Sequence, residues 1–585
     1  MSAVPRVETD VLVVGTGPAG GAASVLLATY GIKVLCVSQY AGTARTPRSH
    51  ITNQRTMEVM RDLGLEEECI RLATPAELMG ENIYCTSVTG EELGRVLTWG
   101  THPQRRADYE LSSPTMMCDL PQNLLEPLLV GHATRRGADV RFHTEFISLR
   151  QDPEGVTAVV RDRLLGQEYE IRAKYLIGAD GANSRVVEQI KLPLEGKMGV
   201  SGSINVVFEA DLSEFVAHRP SVLFWVIQPG ASVGGLGIGV VRMVRPWNKW
   251  LCIWGYEVSE GPPTLSEDKA LEIVHGLLGD SSIPVKIEAS STWTVNDMYA
   301  TRLSEGRVFC IGDAVHRHPP TNGLGSNSSI QDAHNLCWKL ALVLQGKASA
   351  SLLGSFNEER APVAKQVVQR ANKSLGDFPP ILGALGLLDT KDPAKMRRNM
   401  DSLKEDSEQA HAQRASLRTA IDNTQYVYNA HGVEMNRRYI SNAVVPDGTP
   451  DPGFIRDAEL YHEHSSRPGS TVPHVWLTKK GHRISSLDLC GKGRFALLTG
   501  IAGSRWIDAA RQVAREIDVD LVAHAIGPGR EFEDLYGDFA RLRGTEESGA
   551  LLVRPDNIVC WRRARWSDVG QADLRSALAH VLGRA

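Results

Sequence analysis

The sequence predicts an α/β protein in which a Rossmann-like nucleotide-binding domain is interleaved with an antiparallel β-sheet and followed by a smaller carboxyl-terminal domain. Three observations predict this architecture. The amino terminus reads as strand, glycine-rich turn, helix and strand. Two further strand-and-turn motifs occur at 175–187 and 306–340. The segment 190–300 between them alternates apolar and polar residues, as an antiparallel sheet does.

Length and composition place the chain among large soluble globular proteins. Its 585 residues are enough for two to four domains, and hydrophobic and charged residues make up 42% and 23% of them. The formal net charge of −5 provides no basic field, so we expect neither nucleic acid nor a membrane as a partner. The nine cysteines form no CxxC pair and the first ten residues do not resemble a signal peptide, which favours a reducing, cytoplasmic location.

The first motif follows a buried strand predicted at 10–14. It consists of Gly15, Thr16, Gly17, Pro18, Ala19 and Gly20. In this pattern the first glycine permits a tight turn, the second lets the backbone approach a pyrophosphate, and the third allows close helix–strand packing. A helix to about Tyr30 and a second strand at 33–37 complete a βαβ unit. The motif therefore predicts a dinucleotide site, and it explains an apolar stretch at 11–37 that could be mistaken for a membrane span.

The second strand ends in residues that are unusual for such a site. Dinucleotide-binding folds commonly place an acid here to hold the ribose, whereas this chain has Ser38 and Gln39. A hydroxyl and an amide can still form hydrogen bonds, so both residues remain cofactor-binding candidates.

The second and third motifs also consist of a strand that ends in a turn. Residues 175–187 read YLIGADGANSRVV, with a turn at Asp180 and Gly181. Residues 306–340 contain a strand ending at Gly312 and Asp313, a Pro- and Gly-rich loop, and a helix predicted to begin near Ser326. The free N–H groups of that helix would face whatever the loop binds.

The order of the three motifs resembles that of the FAD-dependent aromatic hydroxylases of the para-hydroxybenzoate and phenol hydroxylase type, over essentially the whole chain. The stretches PRSHITNQRTMEVMRDLG, MGEN, GLGIGVVRMVRPWNKW and STWTVNDMYATRL are most similar to the bacterial branch that acts on chlorinated phenols. The resemblance implies bound FAD, NADPH or NADH as co-substrate, O2, and ortho-hydroxylation of a phenol, with 2,4-dichlorophenol converted to 3,5-dichlorocatechol. The alternatives are a hydroxylase of another aromatic compound, such as a hydroxyphenylpropionate or a polyketide, and a flavin-binding protein without monooxygenase turnover.

The resemblance also implies roles for individual residues around the flavin. Arg48 would reach the pyrophosphate, Gln122 would lie near the flavin, and Asp313 would contact the ribitol. The isoalloxazine would be held by the loop residues Pro320, Gly323, Leu324, Gly325, Ser326 and Asn327. Asp180 and Gly181 would serve FAD and NAD(P)H. The family arginine that follows them is replaced by Val187, with Arg185 nearby, so the choice between NADPH and NADH stays open.

Candidate substrate residues follow from the same resemblance. His50 occupies the position of an Asp in the phenol hydroxylase branch, and a histidine is a suitable base at neutral pH. Trp254 and Tyr256 of the alternating segment are weaker candidates for the substrate wall, because alternating aromatics usually belong to a core. Arg242 and Arg245 leave a carboxylate-bearing substrate possible. No HExxH pattern or carboxylate at ligand spacing accompanies the histidines of the HRH sequence at 316–318, so we expect no metal.

The carboxyl-terminal third predicts a separate unit. The charge-dense segment 390–420 reads as solvated helix, and the Pro-, Gly-, Asp- and Ser-rich segment 443–474 reads as a boundary. RFALLTG, WIDAARQVAREI, VDLVAHAIG and ALLVRPDNIVCWR then predict a strand, a helix, a strand and a hairpin turning at 555–557. This order resembles the thioredoxin-like domain of the phenol hydroxylase branch. It lacks CxxC, so we expect a structural role or a role in forming a homo-oligomer, either a dimer or a tetramer.

These readings give a three-part division of the chain. Residues 1–375 form an FAD-binding domain interleaved with a substrate-binding sheet at about 190–300. Residues 376–445 form a helical connector, and residues 446–585 form the thioredoxin-like domain.

Overall fold

The structure is a computed structural model that describes residues 6–101, 103–229, 238–388 and 390–584. The GLG at 235–237, part of one stretch on which the resemblance rests, lies outside the described residues, as do the first five residues.

The strands in chain order are β1 (Arg6–Val14), β2 (Val34–Val37), β3 (Ile51–Thr52), β4 (Glu81–Cys85), β5 (Glu92–Leu97), β6 (Cys118–Asp119), β7 (Asp139–Arg141), β8 (Thr144–Asp152), β9 (Gly155–Asp162), β10 (Glu168–Gly178), β11 (Leu194–Glu209), β12 (Leu223–Val226), β13 (Gly239–Arg245), β14 (Lys249–Tyr256), β15 (Lys286–Ala300), β16 (Ser304–Glu305), β17 (Val308–Cys310), β18 (His316–Arg317), β19 (Trp476–Lys479), β20 (His482–Ser485), β21 (Phe495–Thr499), β22 (Leu521–Ala525), β23 (Ala550–Val553) and β24 (Val559–Arg563).

The α-helices complete the inventory of elements. They are α1 (Pro18–Thr29), α2 (Gln54–Asp62), α3 (Glu66–Leu72), α4 (Pro103–Ser112), α5 (Gln122–Arg135), α6 (Arg185–Ile190), α7 (Ser213–Val216), α8 (Glu267–Leu278), α9 (Leu324–Leu344), α10 (Gly354–Leu375), α11 (Pro379–Ala384), α12 (Pro393–Asp401), α13 (Glu408–Asn423), α14 (Gln425–Tyr428), α15 (His431–Met435), α16 (Ser504–Ile517), α17 (Asp538–Leu542) and α18 (Gly570–Val581).

The first sheet brings the three sequence motifs together. Its strand order is β16-β17-β10-β1-β2-β7, and β1 pairs in parallel with both β2 and β10, while β10 pairs in parallel with β17. Val14 is in register with Gly178, and Gly178 is in register with Cys310. The turns that follow these three residues therefore lie at one edge of the sheet, where parallel α/β sheets bind their ligands. The predicted βαβ unit is confirmed as β1, α1 and β2.

One face of this sheet is covered by helices that pack on α1. Small residues in α1 allow α5 and α9 to approach it closely. A Cβ at Gly21 would lie 3.2 Å from the Leu129 Cβ, and the Cys337 thiol of α9 lies over the Ala23 carbonyl oxygen. The predicted start of α9 near Ser326 was two residues late. The helix begins at Leu324, because Gly323 adopts a left-handed conformation with φ of +62° and serves as its N-cap.

The second sheet is built largely from the alternating segment. Its strand order is β18-β15-β11-β14-β13-β12-β4-β5, and the pairs among β11 to β15 are antiparallel, as predicted. Two features were not predicted: β4 and β5 extend the sheet from residues 81–97, and β12 pairs in parallel with β4. Helix α8 covers one face of the sheet, where Val274 and Leu277 are fully buried.

The carboxyl-terminal unit has the predicted order of elements. Strands β21, β22, β23 and β24 form a sheet in the order β22-β21-β23-β24, and α16 and α18 pack together beside it. β21 and β22 are parallel, and the other pairs are antiparallel. The predicted turn is confirmed, with Asn557 at φ of +64°. The charge-dense segment is helical, as α12 and α13, whereas the domain boundaries at 375 and 445 stay predictions.

A membrane span was considered for residues 11–37. None of the helices in the described part of the chain is long and apolar enough to cross a membrane. The apolar stretch consists of buried β1, α1 and β2 instead.

Candidate active site

The glycine-rich turn after β1 fits a dinucleotide. Gly15 has φ of +109°, and a Cβ there would overlap the Ala179 carbonyl oxygen, while a Cβ at Gly20 would overlap the Gly15 carbonyl oxygen. Gly17 differs, since its Cβ would meet only Glu126 Oε1, at 3.9 Å. The first and third glycines thus serve packing, and the second faces open space. Because no side chain caps the start of α1, its free N–H groups also face this space and fit a pyrophosphate.

Glu126 is a residue of this cradle that the sequence reading missed. Gln122 Nε2 donates to its Oε1 at 2.6 Å, and the Ala44 N–H donates to its Oε2 at 2.6 Å. Burial raises the pKa of Glu126. Gln122 Oε1 in turn accepts hydrogen bonds from the N–H and the hydroxyl of Ser49. Gln122 therefore anchors the loop that carries the exposed Arg48. Its spacing of four residues from Glu126 on one helix was the available signal.

The two residues after β2 differ in their surroundings. Ser38 is buried, and its hydroxyl accepts a hydrogen bond from the Tyr40 N–H at 3.4 Å. Gln39 is exposed, and its carbonyl oxygen accepts from Arg163. The Gln39 side chain is thus the one exposed to a ligand.

The second motif uses its carboxylate within its own turn. Asp180 accepts hydrogen bonds from the Ser184 hydroxyl at 2.6 Å and from the Val186 N–H at 3.2 Å. Burial raises the pKa of Asp180. Gly181 has φ of +81° with nothing within 4 Å of its Cβ position, so the backbone at Gly181 is the part of this motif that faces open space.

The third motif is fixed by a buried carboxylate. The Gly312 N–H donates to Asp332 Oδ2 at 3.1 Å, while the next residue, Asp313, is exposed at the carboxyl end of β17. His316 Nε2 lies 2.8 Å from the same Asp332 oxygen. His318 lies 3.8 Å from the Cβ position of Gly325, and burial lowers its pKa to about 4.

Asn327, predicted to hold the isoalloxazine, has its side chain engaged elsewhere. Its Oδ1 accepts from the Asn53 N–H at 3.0 Å, and its Nδ2 donates to the carbonyl oxygens of Ile51 and Gly323 at 2.8 and 2.6 Å. Asn327 thus joins the amino ends of α2 and α9. The neighbouring residues Pro320, Leu324 and Ser326 lie in the loop or the first turn of α9, at the same edge of the sheet.

His50 faces a buried carboxylate that sequence reasoning did not single out. Its Nδ1 lies 3.1 Å from Asp119 Oδ2. The two residues are brought together because β3 pairs with β6. The Leu120 N–H extends this pairing by donating to the His50 carbonyl oxygen at 2.7 Å. Neither oxygen of Asp119, which is 1% exposed, has a well-aligned hydrogen bond to a described residue. Burial lowers the pKa of His50; Asp119 opposes this shift and Arg242 adds to it.

Arg242 joins the second sheet to the loop before His50. Its two terminal nitrogens donate to the Pro47 and Arg48 carbonyl oxygens at 2.5 and 2.6 Å. Burial lowers its pKa to about 10. Arg245 donates to the Leu72 carbonyl oxygen at 2.7 Å. Both arginines considered for a substrate carboxylate are therefore engaged by backbone oxygens.

The face of the second sheet that bears Arg242 is not the face that bears the predicted aromatic residues. Side chains alternate across a strand, and directly paired residues share a face. Trp254 lies against Gly239 and Leu277 on the face covered by α8, and Tyr256, two residues on, shares that face and covers Gly202. Arg242 points to the opposite face. The structure thus does not bring Trp254 and Tyr256 to His50, and their role in binding substrate stays a prediction without geometric support.

Other aromatic residues lie on the side of His50. Trp99 contacts His50 edge-on at 6.2 Å between ring centroids, and Tyr428 contacts Trp99 at 5.7 Å. Trp225 pairs with Val240 and so shares the face of Arg242. Two buried polar atoms of this group, Trp225 Nε1 and Tyr428 Oη, lack a well-aligned hydrogen bond among the residues that the structure describes. Trp225 lies in an alternating strand, whereas no sequence signal indicated Tyr428.

Models of two protein families match the chain. The FAD binding domain matches residues 8–371, and the carboxyl-terminal domain of aromatic-ring hydroxylases matches residues 465–585. The chain therefore belongs to the FAD-binding aromatic-ring hydroxylases, as the order of its motifs predicted.

Individual relatives share the full length. The chain is 75% identical to a 2,4-dichlorophenol 6-monooxygenase of Delftia acidovorans, with 98% of both chains covered. It is 48% identical to a phenol 2-monooxygenase of a Pseudomonas species, with 98% of this chain and 92% of the relative covered. Among solved structures, the flavin-dependent monooxygenase PieE in complex with FAD and substrate matches with a TM-score of 0.95 and 43% identity, covering 99% of this chain and all of that one.

Proposed function

We propose that this protein is a flavin-dependent phenol hydroxylase that uses NAD(P)H and O2 to convert 2,4-dichlorophenol to 3,5-dichlorocatechol. The names of its relatives support the reaction and the substrate class. The observation that carries the proposal is the contact of His50 with Asp119, beside aromatic side chains and next to the nucleotide cradle.

The cofactor contacts are proposed from the resemblance, and part of the cradle supports them. FAD supplies the reducible group through which O2 is activated, and the protein contributes binding, orientation and water exclusion. Gly17 and Arg48 would hold its pyrophosphate, Asp313 its ribitol, and the turn at Gly325 its isoalloxazine. The exposed side chains of Arg48 and Asp313 and the open space at Gly17 support this arrangement.

His50 would remove the phenol proton. A carboxylate at Nδ1 favours the tautomer with the proton on that nitrogen, so Nε2 is left to accept the proton of the substrate. Burial lowers the pKa of His50, which keeps the ring neutral and ready to act as a base. Asp119 would stabilise the imidazolium that forms. A chlorinated phenol is more acidic than phenol, so this weak base suffices for it.

The side chains around His50 favour an uncharged, compact aromatic substrate. Trp99 and Trp225 supply apolar surface, and Tyr428 packs edge-on against Trp99. A substrate carboxylate would need a free cation, but Arg242 and Arg245 donate to backbone carbonyl oxygens. The choice between NADPH and NADH remains open, since Arg185 near the second motif is bonded to Glu145 and the Phe146 carbonyl oxygen.

Further expectations belong to the same proposal. A sheet of parallel and antiparallel pairs flanked by α16 and α18 supports a thioredoxin-like assignment for the carboxyl-terminal domain. A cytoplasmic location and a dimeric or tetrameric state are proposed from the sequence alone.

The decisive experiment uses purified protein loaded with FAD. It measures oxidation of NADPH and of NADH and, by mass spectrometry, the aromatic product. Phenol, 2,4-dichlorophenol, a hydroxyphenylpropionate and a polyketide are compared. We expect 3,5-dichlorocatechol from 2,4-dichlorophenol at the highest kcat/KM. Substrate-stimulated NADPH oxidation without any catechol would reject the hydroxylase, and failure to bind FAD would reject the whole proposal.

A further inference from the structure

A buried cluster of four charged side chains joins the carboxyl-terminal domain to the flavin-binding domain. It consists of Lys339 of α9, Glu359 of α10, and Arg554 and Asp556 at the turn between β23 and β24. Arg554 forms a two-pronged contact with Glu359, at 2.5 and 2.9 Å, and another with Asp556, at 2.9 and 2.6 Å. Lys339 Nζ lies 3.0 Å from Glu359. Two positive and two negative groups thus balance in the interior.

The burial of this cluster makes it sensitive to the loss of any one member. Lys339, Glu359 and Arg554 are completely buried. Burial opposes ionisation of Glu359, yet Arg554 and Lys339 lower its pKa well below the usual value. Removing one partner from such a group leaves an uncompensated buried charge, which is far more costly than the loss of an exposed ion pair. The two domains are therefore held together by paired charges as well as by apolar contact.

On α9, Lys339 of the cluster lies seven residues, or two helical turns, from Asp332, the carboxylate that fixes the third flavin motif. Arg360, which follows Glu359 on α10, donates to Asp332 Oδ1 at 2.7 Å. Asp332 Oδ2 accepts from the Gly312 N–H at 3.1 Å. Asn335, between Asp332 and Lys339 on α9, donates to Glu359 at 2.6 Å. Two adjacent residues of α10 thus make the two contacts: Glu359 binds Arg554 of the carboxyl-terminal turn, and Arg360 binds Asp332, which holds the loop at Gly312.

A second contact of the carboxyl-terminal region reaches the other helix that faces the cofactor. Arg61 of α2 donates to both carboxylate oxygens of Asp488, at 2.8 and 3.0 Å. At its amino end the same helix is tied to α9, because the Asn53 N–H donates to Asn327 Oδ1. The carboxyl-terminal region therefore contacts α2 and α9, the two helices whose amino ends meet at the cradle.

We propose that the carboxyl-terminal domain positions the flavin through this buried cluster, with Arg554 and Glu359 as positioning residues for the loop at Gly312. The inference rests on the proposed FAD site. Loosening the cluster frees α9 relative to α10, and Gly312 moves with Asp332. The consequences are weaker FAD binding and, since the flavin is less well oriented, more NAD(P)H oxidised without catechol formation.

The test replaces Arg554 in the full chain and measures FAD binding by the fluorescence of free flavin, at a temperature well below the unfolding midpoint of each variant. We expect R554M to raise the Kd for FAD by about tenfold, which is within the usual range of coupling between sites. R554K keeps the charge but not the two-pronged contact, and should lie between R554M and the unchanged protein. The matched control is R563M, since Arg563 lies at the far end of β24, the strand that follows this turn, in a partly exposed pair with Asp573.

A charge-balanced variant keeps the result decisive if R554M does not fold. E359Q/R554M removes one charge of each sign and leaves Lys339 with Asp556. Weak FAD binding and low coupling of NAD(P)H oxidation to catechol formation in this folded variant would support the proposal. Folded R554K and E359Q/R554M that bind FAD and couple like the unchanged protein would overturn it. If the proposed function itself is wrong, the result is different, because the unchanged protein would then bind no FAD or form no catechol.

Discussion

Replacing Asp119 by Asn should shift the pH dependence of turnover toward acid and slow the reaction. The Asp119 carboxylate lies 3.1 Å from His50 Nδ1 and is 1% exposed, so solvent screens it little. An opposite charge at this range raises the pKa of a histidine by roughly 1–3 units. Arg242 opposes it from nearby, so we expect the lower part of this range. The acid limb of kcat/KM in D119N should move down by about 1–2 pH units, or about 1.4–2.7 kcal/mol.

The sign follows from the charge states. The pKa of His50 is already lowered by burial, so activity rises as the pH increases through that value and the ring loses its proton. Without the carboxylate the imidazolium is less stable, the ring loses its proton at lower pH, and the acid limb shifts down. The same change makes His50 a weaker base, so kcat at neutral pH should fall by roughly tenfold or more.

The assay measures catechol formation by FAD-saturated enzyme across the acid range, with one phenol for all variants so that its own ionisation is common to them. D139N is the matched control, because Asp139 is an exposed partner of Arg141 at the edge of the first sheet. H50A should lose the limb altogether. A D119N enzyme with the acid limb and kcat of the unchanged protein would refute the assignment of His50 and Asp119 as the proton-accepting pair.

Three further predictions address the rest of the site. R242M removes the positive charge that lowers the pKa of the histidine, so the acid limb should move to higher pH; a downward shift in pH–rate profiles would contradict this. G17V should leave the melting temperature of the FAD-free protein unchanged, because a Cβ there meets open space, and should abolish FAD binding, because the side chain fills the space proposed for the pyrophosphate. G20A should instead destabilise the fold by about 1–3 kcal/mol in urea titration, since its Cβ overlaps a carbonyl oxygen. W254F should leave KM for the phenol unchanged and W225F should raise it, measured by steady-state kinetics; a rise with W254F alone would reverse our assignment of the sheet faces.

The sequence predicted most of the architecture because the signals are local. Strand, glycine turn and helix follow one another within 10–37. The apolar runs before Asp180 and Gly312 predicted two further strands, and the structure adds that these are parallel neighbours in the first sheet. The beginning of α9 was less accurate, because the left-handed Gly323 sets it and several glycines in that loop could have done so. The contacts of the Asn327 side chain could not be predicted, because the Asn53 N–H that it accepts from lies 274 residues away in the sequence.

The sequence is least informative about the substrate side, and the reason lies in the period of a strand. An alternation of apolar and polar residues indicates that the sheet has two different faces, but it does not indicate which face lies toward the cofactor. The aromatic pair Trp254 and Tyr256 has a conspicuous pattern and lies under α8. Tyr428 contacts Trp99, the neighbour of His50, from the short helix α14, and no sequence pattern marks it. Such a residue becomes visible only when the chain is folded.

Arg242 is the residue that joins one face of the second sheet to the loop that carries His50. A fully buried guanidinium needs acceptors, and its terminal nitrogens find them in the carbonyl oxygens of Pro47 and Arg48. Those carbonyls belong to the loop that carries His50 and, through Ser49, bonds to Gln122. The same arginine lowers the pKa of the histidine. The same side chain thus ties the sheet to the loop of the proposed cofactor site and lowers the pKa of the proposed base. Because its terminal nitrogens are engaged in this way, they are not free for a substrate carboxylate.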